Sequence, residues 1–179
     1  MLESDSPEKP EPASGPQPSR SEEMERGRAI LLRALSRSSR SRYELKQRLL
    51  QRDIAAEIAE ELLDRFVEVG LIDDEQYAAM VVRTRHRERG LARPAIAQEL
   101  RRRGISDEHG KRALEQLDSD LELARARELI ARRIDSVRSL DRERALRRLM
   151  GYLLRRGYSS GQALSVIQPA LDETGDGMI

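Results

Sequence analysis

Arginine is the residue type in this sequence with chemistry to spend. There are 30 arginines and three lysines, Lys9, Lys46 and Lys111. A guanidinium offers a planar fork of donors that matches phosphate and carboxylate oxygens, where an ammonium is only a point charge. Two clusters stand out. One is Arg83, Arg85, Arg87 and Arg89, continued by Arg93, Arg101, Arg102 and Arg103. The other is Arg142, Arg144, Arg147 and Arg148, continued by Arg155 and Arg156. On a helix, Arg101, Arg102 and Arg103 point about 100° apart, so they cannot all serve one ion pair at i,i+3 or i,i+4. Taken one at a time, each arginine can equally be a solvated residue paired with an acidic helix. Taken as clusters, they are expected to face an external anionic surface.

Other chemistry is scarce. The two histidines, His86 and His109, are far apart in sequence, and a metal site wants several convergent ligands. They read as exposed or capping residues. Gly110-Lys111 resembles the end of a phosphate-binding loop, but Ile105 stands where the leading glycine belongs and Arg112 where Ser or Thr belongs. The carboxylates of 53–75, Asp73 and Asp74 among them, read better as helix caps than as an acid–base or metal pair. There is no cysteine, so disulfides and thiolate zinc sites are excluded. No nucleophile elbow occurs. No cofactor, metal or catalytic residue is therefore expected. No apolar run approaches the roughly 20 residues of a membrane span, and the N-terminus is polar, so the expected location is the cytoplasm.

The elements that must carry these arginines are helices. Aromatics make up 3% of the chain and charged residues 36%, which suits small modules with thin Leu/Ile/Val/Ala cores rather than one large sandwich or barrel. Charge runs in bands, +8 over 26–52, −8 over 53–75, +6 over 76–105, −4 over 106–123 and +7 over 124–157, as expected of a repeat with distinct electrostatic faces. A repeat is visible directly. Leu49-Leu50-Gln51-Arg52-Asp53-Ile54 aligns with Leu100-Arg101-Arg102-Arg103-Gly104-Ile105 and with Leu153-Leu154-Arg155-Arg156-Gly157-Tyr158. Each unit reads as three helices, at 26–37, 42–52 and 54–69, then 74–89, 94–103 and 107–117, then 120–135, 141–156 and 160–171. Ser41 with Glu44, Asp73 with Gln76 and Ser159 with Gln162 have capping-box spacing. Gly70, Gly90, Gly104 and Gly157 sit at expected C-caps. Gly151 falls inside a helix, where close packing of a neighbour would account for it, and Pro169 is expected to end or bend the last helix. The organisation expected is a disordered Pro/Glu/Ser-rich tail over 1–25, repeats over 26–71, 72–118 and 119–173, and a short tail over 174–179.

Residues 26–171 resemble the RecX family, bacterial regulators of the recombinase RecA. The resemblance rests on Ser41-Arg42-Tyr43-Glu44-Leu45, on Gly70-Leu71-Ile72-Asp73-Asp74-Glu75-Gln76-Tyr77-Ala78, on Arg93-Pro94-Ala95-Ile96-Ala97-Gln98-Glu99-Leu100 with Gly104-Ile105, and on Leu153-Leu154-Arg155-Arg156-Gly157-Tyr158-Ser159. Asp53, where the other units have Gly, and the proline-rich tail depart from the pattern. The resemblance implies an all-α, elongated curved solenoid of three tandem three-helix repeats. It implies a non-catalytic protein that binds the RecA–single-stranded-DNA filament and restrains filament growth, ATP hydrolysis and strand exchange, in DNA repair, recombination and the SOS response. Expected partners are the RecA filament and, weakly and without sequence preference, single-stranded DNA. A monomer is expected. The alternatives are a sequence-specific, helix-turn-helix-like DNA-binding regulator and a helical adaptor with no nucleic acid nearby. Since both clusters lie in the second and third units, the first, with one basic band, is expected to bind poorly by itself.

Overall fold

The computed structural model describes residues 19–175, so residues 1–18 of the tail expected over 1–25 and residues 176–179 of the one expected over 174–179 lie outside them. Among the described residues there is no strand. The helices are α1 (Arg20–Leu35), α2 (Arg42–Leu50), α3 (Ala56–Glu68), α4 (Asp74–Arg89), α5 (Arg93–Arg102), α6 (Asp107–Glu115), α7 (Ser119–Ala131), α8 (Arg142–Leu154) and α9 (Ser160–Gly175), with a 3-10 turn, Ile134–Val137, before α8. They form three modules in tandem, α1–α3, α4–α6 and α7–α9, and each has its own apolar core. Leu31, Leu45, Leu49 and Leu63 centre the first, Val82, Ile96 and Leu100 the second, and Ile130, Leu149, Leu153 and Ile167 the third. A thin stripe per helix, closed three helices at a time, is what a chain so poor in aromatics can bury.

The caps bound the helices as the sequence indicates. Ser41 and Glu44 make a full capping box, and Ser159 and Gln162 exchange the same two bonds. Gly70, Gly90, Gly104 and Gly157 all have positive φ, between 61° and 89°. Three expectations are corrected. The tail does not extend to residue 25, because Ser19 and Glu22 form a capping box and α1 starts at Arg20. α7 stops at Ala131, ahead of the 3-10 turn, rather than at 135. α9 does not end at Pro169 and runs on to Gly175, past the expected end at 171.

The modules join by one device used twice. In α5 and α8, the carbonyl just before the C-terminal glycine accepts a hydrogen bond from the cap of the preceding module's middle helix. The donors are Ser41 Oγ to the Arg103 carbonyl, at 2.6 Å, and the Ala92 N–H to the Arg156 carbonyl, at 2.9 Å. The glycine then lies against that helix's first turn. A Cβ on Gly104 would stand 2.3 Å from Tyr43 Cβ, and one on Gly157 would stand 2.7 Å from Ala95 Cβ. The equivalent Asp53 has φ 56° and, among the described residues, no preceding module packed against it, so its side chain is accommodated there.

Candidate functional site: the arginines and the module junctions

The junction of the first two modules is built from charge. Glu99 on α5 accepts two bonds from Arg85 Nε, at 2.8 and 2.9 Å, and one from Arg103 Nη2 at 2.7 Å. Arg103 Nη1 reaches across to Glu44 on α2 at 3.0 Å and to the Tyr77 hydroxyl, which donates to Glu44 at 2.9 Å. Burial alone would raise the Glu99 carboxyl, but the hydrogen bonds from Arg103 and Arg85 overcome it and hold the carboxyl below the usual range. Burial, reinforced by Glu44, pushes the Tyr77 phenol up. Asp73 caps α4 through the Gln76 N–H, and Asp74 accepts the Arg42 N–H at the start of α2, 2.8 Å away, so these two carboxylates act as helix caps.

The second junction has the same composition in another arrangement. Buried Glu122 accepts the Arg93 N–H at 2.6 Å, and Arg93 Nη1 donates to the Leu117 carbonyl. Arg156 stacks on the Tyr152 ring at 3.8 Å and donates through Nε to the Arg89 carbonyl. Arg133 also lies over that ring, at 4.1 Å. The Tyr158 phenol is pushed up to about 12 by burial and then by the Glu122 charge.

The arginines singled out from the sequence therefore divide. Arg85, Arg93, Arg103 and Arg156 are inside the joints, and the outward role expected of them is corrected. Their forks satisfy carboxylates, carbonyls and a ring that folding has taken from water. Arg142, Arg144 and Arg147 are exposed but paired, with Asp172, Asp141 and Glu143. Arg83, Arg87, Arg89, Arg101, Arg102, Arg148 and Arg155 are exposed and form no ion pair among the described residues. Arg83 lines an open groove between the first two modules with Arg40, Leu71 and Gln76, and Arg87 lines a shallow one with Arg132. His86 is buried rather than exposed, its Nδ1 3.1 Å from the Leu91 carbonyl beyond the end of α4. The sequence reading missed a further set, in the first module, where α1 and α2 enclose an arginine-lined groove. The +8 over 26–52 was the available signal.

Residues 28–66, 73–114 and 120–167 match, in that order, the first, second and third three-helix domains of RecX. The chain belongs to the RecX family. It is 48% identical over 153 residues to the protein named Regulatory protein RecX of Streptomyces coelicolor, covering 86% of this chain and 81% of that one. It is 45% identical over 150 residues to the Regulatory protein RecX of Thermobifida fusca, covering 84% and 81%. The crystal structure of RecX from Lactobacillus salivarius superposes with a TM-score of 0.75 over 84% of this chain and 97% of that one, at 23% identity, and so shares the RecX fold. Among the described residues no helix is long and apolar enough to cross a membrane.

Proposed function

We propose that this RecX-family chain is a non-catalytic, monomeric, cytoplasmic regulator that binds the RecA–single-stranded-DNA filament and restrains ATP hydrolysis and strand exchange. One observation carries the reading. Arg83, Arg87, Arg89, Arg101, Arg102, Arg148 and Arg155 keep exposed guanidinium groups that no carboxylate of the described residues answers. An alternating-sign surface suits a filament that offers phosphates and protein side by side, and tandem modules spread such contacts over a long surface instead of a pocket. The test is RecA ATPase on single-stranded DNA, titrated with this protein. Inhibition is expected, and Arg101→Glu/Arg102→Glu/Arg148→Glu/Arg155→Glu should need at least about tenfold more protein, as reversing exposed charges turns attraction into repulsion. An ATPase rate indifferent to the wild-type protein would refute the reading. A footprint on one duplex sequence that survives excess non-specific DNA would replace it with a sequence-specific regulator.

A further inference from the structure

Five guanidiniums without an ion pair among the described residues line one groove of the first module. Arg26, Arg33 and Arg37 of α1 and the segment just after it face Arg48 and Arg52 of α2 and its C-terminal turn across a groove of about 430 Å³. Ala29 and Ile30 complete the lining, which holds no carboxylate, hydroxyl or amide side chain. None of the five arginines forms an ion pair among the described residues. Only Arg26 has a guanidinium bond there, from Nη2 to the Asp53 carbonyl at 2.8 Å. Three acids of α3 are already engaged. On α3, Glu60 and Asp64 are held by Arg42 and Lys46, and Glu61 by Arg20 and Arg65. Five like charges gathered along one groove repel one another, so the arrangement costs stability unless an anion joins it.

We infer that the groove between α1 and α2 of the first module binds the phosphodiester backbone of a nucleic-acid strand, independently of any recombinase. The chemistry of the lining selects this occupant over an acidic peptide. Guanidinium groups are donors only, and a phosphodiester chain offers acceptors only along its backbone. A peptide would bring its own N–H donors, and the groove lining has no side-chain acceptor for them. The spacing agrees. Arg26 and Arg33 are separated by about 10 Å of the α1 axis, with Arg37 just beyond its end, and Arg48 and Arg52 follow one another at the end of α2. That spacing serves successive phosphates. With no aromatic side chain in the lining, binding is indifferent to base identity.

The experiment is fluorescence anisotropy of a labelled oligothymidylate with the full chain and no recombinase, between 50 and 200 mM salt, repeated with a duplex of equal length. Binding to either form is expected, and binding to neither sinks the inference. Arg33→Glu/Arg48→Glu should bind at least about tenfold more weakly, and the slope of log affinity on log salt should flatten by about 1.4 for two lost contacts to a single strand. Arg127→Glu/Arg138→Glu, with the same change in net charge on α7 and just after the 3-10 turn, should bind as the wild type does. If that control falls as far as the groove variant, or the groove variant binds normally, the site is wrong. If polyglutamate displaces the oligonucleotide at lower charge concentration, the groove is a peptide site and the inference fails. Far-UV circular dichroism checks the fold, and Arg33→Gln/Arg48→Gln repeats the test if the charge reversal unfolds. Because the assay contains no RecA, its result and that of the ATPase titration stand or fall separately.

Discussion

At the residue scale, neighbours in sequence have opposite roles. Arg103 bonds Glu44, Glu99 and Tyr77, while Arg101 and Arg102 on the same turn stay in water. Arg103→Ala leaves two carboxylates short of partners and should cost about 2 kcal/mol, the usual size for hydrogen bonds to charged groups. Arg101→Ala/Arg102→Ala should stay within about 0.5 kcal/mol. Urea unfolding followed by circular dichroism measures both. The native Glu99 carboxyl lies below the ordinary glutamate pKa of about 4.3, so near pH 4 the unfolded chain binds more protons than the folded one. Its contribution is complete above that pH and is lost as pH falls through the lower native value. Glu99→Gln should flatten the acid limb of stability against pH. The glycines divide in the same way. Gly157→Ala should destabilise, since its φ is 89° and Ala95 Cβ and backbone N would lie 2.7 and 2.9 Å from the new methyl. Gly151 has no helix packed on it, only Arg155 Nη1 at 3.2 Å, so the expected packing is absent. Gly151→Ala should raise stability by up to about 1 kcal/mol.

At the scale of elements, α1 shows how far a composition argument reaches. Prolines, serines and acids give residues 1–25 a polar composition, yet residues 20–25 are helical. Contact holds them there. Arg20 pairs with Glu61 at 2.6 Å, and Glu23 accepts the Ala55 N–H, tying the first turn of α1 to the start and middle of α3. Deleting residues 1–18 should leave the melting temperature unchanged. Deleting 1–25 removes a capping box worth about 1 kcal/mol together with both ties, and should lower it by several degrees. Scanning calorimetry of the two truncations distinguishes these outcomes.

For the whole molecule, the joints decide how three small cores act together. No hydrogen bond or ion pair links the first module to the third among the described residues, so stability passes from neighbour to neighbour. Glu122→Ala takes the acceptor from the Arg93 N–H at the second joint. Amide exchange in α7–α9 should then quicken more than in α1–α3, as for a module that opens by itself. Equal acceleration across the chain would mean that the three modules unfold as one.

The sequence by itself determined the helical class, the three-fold repeat, the caps at Ser41, Asp73 and Ser159 and the four C-terminal glycines, because periodicity and capping are local and survive in one dimension. It also carried the family, through motifs in fixed order. Only the tertiary structure decided which arginines are free. Arg85 and Arg103 meet across 18 residues on one carboxylate, Arg156 reaches Arg89 across 67, and Arg33 faces Arg48 only because α1 and α2 pack side by side. Whether a guanidinium faces water, a carboxylate or a ring depends on partners distant in sequence, and a count of charges along the chain holds no record of them. The same holds for Gly104 and Gly157: the turn made glycine legible, but Tyr43 and Ala95, the side chains that leave no room for a Cβ, come from the preceding module.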